Sequence, residues 1–113
     1  MIGNSYWSTG IIIEYDPYRD LWHATAEFYD DGFCQDESTE GEIHSRYWTE
    51  LETAIDNVKA DTEKLGIEWQ PTGQILSRQD GEGMPANWKK ILKAQADRIN
   101  FNFPYQMEDI DNE

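Results

Sequence analysis

Residues Gly10 to Tyr29 read GIIIEYDPYRDLWHATAEFY, and the two halves of this stretch carry two different marks of extended chain. Ile11, Ile12 and Ile13 are β-branched, which crowds a helical backbone and suits a pleated one. From Leu21 to Tyr29 the chain alternates instead, with Trp22, Ala24, Ala26 and Phe28 on one face and His23, Thr25 and Glu27 on the other. Between the halves, Asp16-Pro17-Tyr18-Arg19-Asp20 brings a proline and flanking aspartates suited to a turn. Strand, turn and strand make an antiparallel hairpin whose apolar face needs a cover.

Downstream, Glu42 to Trp48 alternates again, with Ile43, Ser45 and Tyr47 opposite Glu42, His44, Arg46 and Trp48, which predicts a third strand. Thr49-Glu50-Leu51-Glu52 has the spacing of a capping box and predicts a helix over about residues 50–65. Leu51, Ala54, Ile55, Val58, Thr62 and Leu65 recur at helical spacing, and Gly66 suits the stop. The expected core sets Trp22, Ala24, Ala26, Phe28, Ile43 and Tyr47 against Leu51, Ile55, Val58 and Leu65.

Ile67-Glu68-Trp69 suits a short fourth strand. Residues 70–84, broken by Pro71 and rich in glycine, read as a long loop with a brief strand at Gln74-Ile75-Leu76. A second helix is predicted from Ala86 to Ile99, with Trp88, Ile91, Leu92, Gln95 and Ile99 on one face. The expected fold class is α+β: a three- to four-stranded antiparallel sheet with one helix packed on a face and a second, C-terminal helix. Residues 1–106 form one domain on this reading, and 107–113, MEDIDNE, an acidic frayed tail.

The 113-residue chain is long enough for one core, closed by five Trp, six Tyr and four Phe without disulfide or metal. Cys34 is the single cysteine, so no intramolecular disulfide and no cysteine-based zinc site can form within one chain. The opening residues lack the pattern of a signal peptide, and no run of about 18 apolar residues marks a membrane span. A cytoplasmic location is the expectation, with no membrane contact.

Nine Lys and Arg against twenty-three Asp and Glu leave a formal charge of −14, which repels nucleic acid and anionic lipid. The excess is concentrated in EFYDDGFCQDESTEGE, residues 27–42, where seven carboxylates occupy sixteen positions without one lysine or arginine. Asp30, Asp31, Asp36 and Glu37 do not have the alternating spacing of a calcium loop, so the expectation is no metal and no cofactor. The stretch is either a solvated hairpin connection or a partner-binding surface, with Asp30, Asp31, Asp36, Glu37 and Glu40 its candidate contacts.

His23 and His44, the only histidines, would share a sheet face if the second and third strands pair in suitable register. No nucleophile stands at a recognisable spacing from them, so no catalytic residue is assigned. Gly81-Glu82-Gly83 lacks the third glycine of a phosphate-binding turn. Lys89, Lys90, Lys93 and Arg98 make the second helix locally basic. That surface either holds an anionic partner or docks on the acidic body of the same protein.

The succession GIIIEYD, LWHATAEFYDDGFC and ELETAIDNVKADTEKLGI, over residues 10–67, resembles the HicB-type antitoxins, whose fold is similar to a partial RNase H fold. Gly32 and Cys34 stand near the family's Gly-Cys turn, and Glu50, Glu52 and Ala54 resemble its helix start. The resemblance implies an α+β fold and a role in binding a protein partner. Charge and motif together then favour a non-enzymatic, cytoplasmic interaction protein of bacterial or phage type, masking a basic, nucleic-acid-handling protein. The alternatives are a DNA mimic and a small metal-dependent hydrolase or nuclease using Glu27, Asp30 or Asp31 with a histidine. Direct nucleic-acid binding is not expected.

Overall fold

The computed structural model describes residues 6–30, 41–79 and 82–106. Its elements run β1 (Tyr6–Asp16), β2 (Leu21–Asp30), β3 (Gly41–His44), α1 (Leu51–Lys64), β4 (Ile67–Ser77) and α2 (Trp88–Ile99). The hairpin forms as its residues dictate, Ile11 facing Ala26 and Ile13 facing Ala24 across an antiparallel pair. Asp16 makes the turn, its carboxylate accepting the Tyr18 N–H at 2.9 Å and pairing with Arg19 at 2.7 Å. Asp20 closes it in a left-handed conformation, φ 56°.

The four strands lie in the order β3-β2-β1-β4. This is an α+β fold whose sheet is mixed, because β4 runs parallel to β1 while the other neighbours are antiparallel. α1 is the reason: it leaves the β3 edge, crosses one face and delivers the chain to the far edge in the direction of β1, as a parallel connection requires. Both helices contribute to a single core on that face, where Ile11, Ile13, Trp22, Ala24, Ala26 and Ile75 meet Leu51, Ala54, Ile55, Val58, Leu92 and Ala96. Large-to-small substitutions here remove burial and leave cavities, so each is expected to destabilise the fold.

β4 is longer than its residues suggest. Trp69 pairs with Ser8 and Gln74 with Gly10, so five steps along β4 stand against two along β1. The extra residues bulge outward between them, and Pro71 falls in that excursion, where no ladder N–H is demanded of it. The long loop expected from residue 70 is thus mostly strand. Gly10 is required at the rejoining point, since a Cβ there would collide with the Gln74 backbone. The Ser8 hydroxyl donates to the Gly10 carbonyl at 3.2 Å, holding β1 through its own irregularity.

β3 is shorter than expected. Thr25 pairs with His44 and Trp22 bridges Trp48, so three steps along β2 oppose four along the other segment. One extra residue reverses which face the side chains take. Trp48 therefore packs against the core, whereas Tyr47, expected in it, is 44% exposed on the other face. The Trp22–Trp48 bridge also displaces the helix start: Glu50 rather than Thr49 is the N-cap, no side-chain cap bond forms, and Glu52 is one position short of a capping box. At the other end Gly66 takes φ 79° as expected, but Leu65 is 64% exposed and belongs to the stop, not the core.

α2 begins at Trp88, two residues later than predicted, and ends at Asn100 in a left-handed conformation with the Phe101 N–H donating to the Ala96 carbonyl at 2.8 Å. The chain then returns to β4. The Ile75 N–H donates to the Asn102 carbonyl at 3.1 Å, the Asn102 N–H to the Gly73 carbonyl at 2.8 Å, and the Ser77 N–H to the Tyr105 hydroxyl at 2.8 Å.

Candidate functional site

With both helices on one face, the opposite face of the sheet carries the alternate residues of the strands. Trp22, Ala24 and Ala26 are in the core, so His23, Thr25 and Glu27 of β2 point the other way. Antiparallel register then sets Glu14 of β1 opposite His23, and His44 and Glu42 of β3 opposite Thr25 and Glu27. The two histidines thus share a face. Sequence spacing admitted that outcome, and the strand register decides it.

His23 Nε2 and His44 Nδ1 are 3.3 Å apart, with the rings stacked at 5.1 Å between centroids and 17° between planes. The Thr25 hydroxyl meets the same His44 Nδ1 at 3.1 Å. The outer nitrogens face carboxylates, His44 Nε2 at 3.0 Å from Glu42 Oε1 and His23 Nδ1 at 3.5 Å from Glu14 Oε1. That second approach has ion-pair distance without hydrogen-bond alignment, and His23 Nδ1 is a buried nitrogen with no hydrogen-bond partner.

Tyr47, displaced to this face by the irregularity after β3, stacks on His23 at 4.7 Å and carries the Arg19 guanidinium above its own ring at 4.9 Å. Arg78 reaches Glu14 at 3.8 Å. Under this cover His23 is only 6% exposed, although among the described residues no helix packs on that face. Burial, then the neighbouring His44, push its pKa down, and Glu14 opposes them incompletely. A neutral imidazole is therefore favoured there. The participation of Glu14, Tyr47 and Arg19 was hidden in the sequence, since Tyr47 joins only through a one-residue shift that alternation alone does not reveal.

Asp30 is the last residue of β2, opposite Tyr6 of β1. Asp31, Asp36, Glu37 and Glu40 lie outside the described residues, as do Cys34 and the tail from residue 107. Among the described residues no group of three or more His, Cys, Asp or Glu is placed to hold a metal ion. No helix among them is long and apolar enough to cross a membrane.

The basic side chains of α2 divide. Arg98 turns to α1, 3.0 Å from Asp56 and 3.9 Å from Glu52, while Lys93 pairs within its own helix with Asp97 at 2.7 Å. Lys89 lies 5.9 Å from the centre of the Trp88 ring, and Lys90 is exposed. Comparison with protein-family models, curated proteins and solved structures returns no match to the chain.

Proposed function

We propose that this chain is a small acidic interaction module that binds and masks a basic protein partner, in the manner of an antitoxin or inhibitor. The observation that supports the reading is the position of β3. Among the described residues it is a terminal strand of only four residues, and the acidic stretch of residues 27–42 joins it to β2. One row of its backbone N–H and C=O groups faces away from β2, a place where a partner strand can add. Carboxylates at Asp30, Asp31, Asp36, Glu37 and Glu40 would steer a basic partner toward that edge and limit attraction to nucleic acid. The resemblance to HicB-type antitoxins points the same way, and the expected setting is a bacterial or phage cytoplasm.

The test is kinetic. Asp30, Asp31, Asp36 and Glu37 are replaced together by Asn or Gln, and association is measured with an arginine-rich peptide and with the basic protein captured from the native cytoplasm. Steering predicts an association rate that drops about tenfold or more in the variant and loses much of its salt dependence. A folded variant with the parent's rate and salt dependence would show that the acidic stretch is only solvated.

A further inference from the structure

Glu14, His23, His44 and Glu42 form a row across β1, β2 and β3, with gaps of 3.5 Å, 3.3 Å and 3.0 Å between successive facing atoms. Each gap sets two lone-pair-bearing atoms against each other and is attractive only with a proton in it. Two neutral imidazoles bring two protons to three gaps. One gap must then remain unfilled, and the buried His23 Nδ1 that has no hydrogen-bond partner marks where. One further proton fills all three. Yet another would set N–H against N–H in the middle gap.

We propose that His23 and His44 together form a single-proton site that ties β3 to β2, accepting one proton as a pair and releasing β3 when forced to accept a second. From the elements packed around the pair, Glu14, Glu27 and Glu42 present carboxylates, Arg78 a guanidinium group beside Glu14, and Arg19 a guanidinium group already paired with Asp16. The phenol of Tyr47 covers His23 and the Thr25 hydroxyl faces His44 Nδ1.

The added proton resides on His44, the more exposed ring, whose Nδ1–H then donates to His23 Nε2 while Nε2–H donates to Glu42. His23 stays neutral and moves its own proton from Nε2 to Nδ1, where Glu14 accepts it. A second proton charges the buried ring beside a charged neighbour, and the nearest release is to move His44 away. β3 has four residues and His44 is the last of them; the next tie to β2 is the Ser45 N–H donating to the Ala24 carbonyl at 2.8 Å.

The experiment is an imidazole ¹⁵N–¹H titration in metal-free buffer, simple because the chain has two histidines. The expected result is two steps more than about one pH unit apart, with the His23 Nδ1–H signal appearing at the first. Exchange of the β3 and β2 ladder amides should rise at least about tenfold below the second step while the β1–β4 ladder is unchanged. In His44→Gln, His23 should titrate in one step. The proposal is overturned if the two rings titrate independently, each curve unmoved by replacement of the other, or if β3 protection is the same above and below both steps.

Discussion

β4 and β3 finish the sheet at opposite sides, and the chain treats them differently. Beyond β4 it returns after α2, places Asn102 alongside Gln74 and caps the Ser77 N–H with the Tyr105 hydroxyl. Beyond β3 it provides no further strand among the described residues. There the nearest support comes from the side: Asn57 of α1 accepts the Arg46 N–H at 2.9 Å and the Trp48 indole N–H at 3.0 Å, pinning the irregular segment that follows β3. An edge covered by its own chain is protected against pairing with other strands. The contrast teaches that the long β4 edge is covered by its own chain, whereas among the described residues the short β3 edge has no strand beside it.

The comparison breaks most readily at the covered side. Leu92 is fully buried between α2 and the sheet, so Leu92→Ala should cost about 2–5 kcal/mol. Ile43→Ala on half-buried β3 should cost about 1 kcal/mol, roughly half the value of full burial. Denaturant unfolding measures both, and equal losses would erase the difference between the sides.

The next effect separates the two kinds of edge support. Asn57→Ala leaves two donors without their acceptor and should cost about 1–3 kcal/mol, whereas Tyr105→Phe removes one bond to a part-buried N–H and should cost about 0.5–1.5 kcal/mol. Hydrogen exchange should show the first loosening Ser45 and Trp48, which bond to β2, and the second loosening Ser77. Loosening spread evenly over the sheet in both variants would mean that the edges are not independent.

The smallest expected effect is one of pH, on the β3 side. The folded chain holds His23 below the ordinary histidine value, so the unfolded chain binds the proton more readily. Stability from this group is therefore complete above about pH 6.5 and declines as pH falls through that value toward the folded pKa. Thermal melts across the lower-pH step of the histidine pair should show a larger loss for the parent than for His23→Gln. A parallel decline in the two proteins would assign the acid response to other groups.

How far the residues announced this arrangement differs from element to element. The hairpin was legible because Ile11 to Ile13 and the alternation from Trp22 to Phe28 point to one backbone state, and the middle of α1 because Ala54, Ile55 and Val58 recur at helical spacing. Failure came where one residue changes the phase. The extra residue before Trp48 exchanged the faces of Tyr47 and Trp48 and shifted the start of α1 past its capping box. Pro71 and Gly73 read as loop because local propensity cannot foresee that β4 bulges away from β1 and rejoins it. The histidine pair needed register, a property of two segments jointly, so His23 and His44 were recognisable as candidates while Glu14 and Tyr47 were not.

The parallel β1–β4 ladder also orders the events of biosynthesis. β1 is an inner strand whose second neighbour begins at Ile67, after α1 has been made. A nascent chain that has emerged only as far as Gly66 can pair β1 on one side alone, and pairing across so long a separation is slow to form. During that interval the isoleucine-rich strand that ends up most thoroughly enclosed is the one most available to a neighbouring nascent chain.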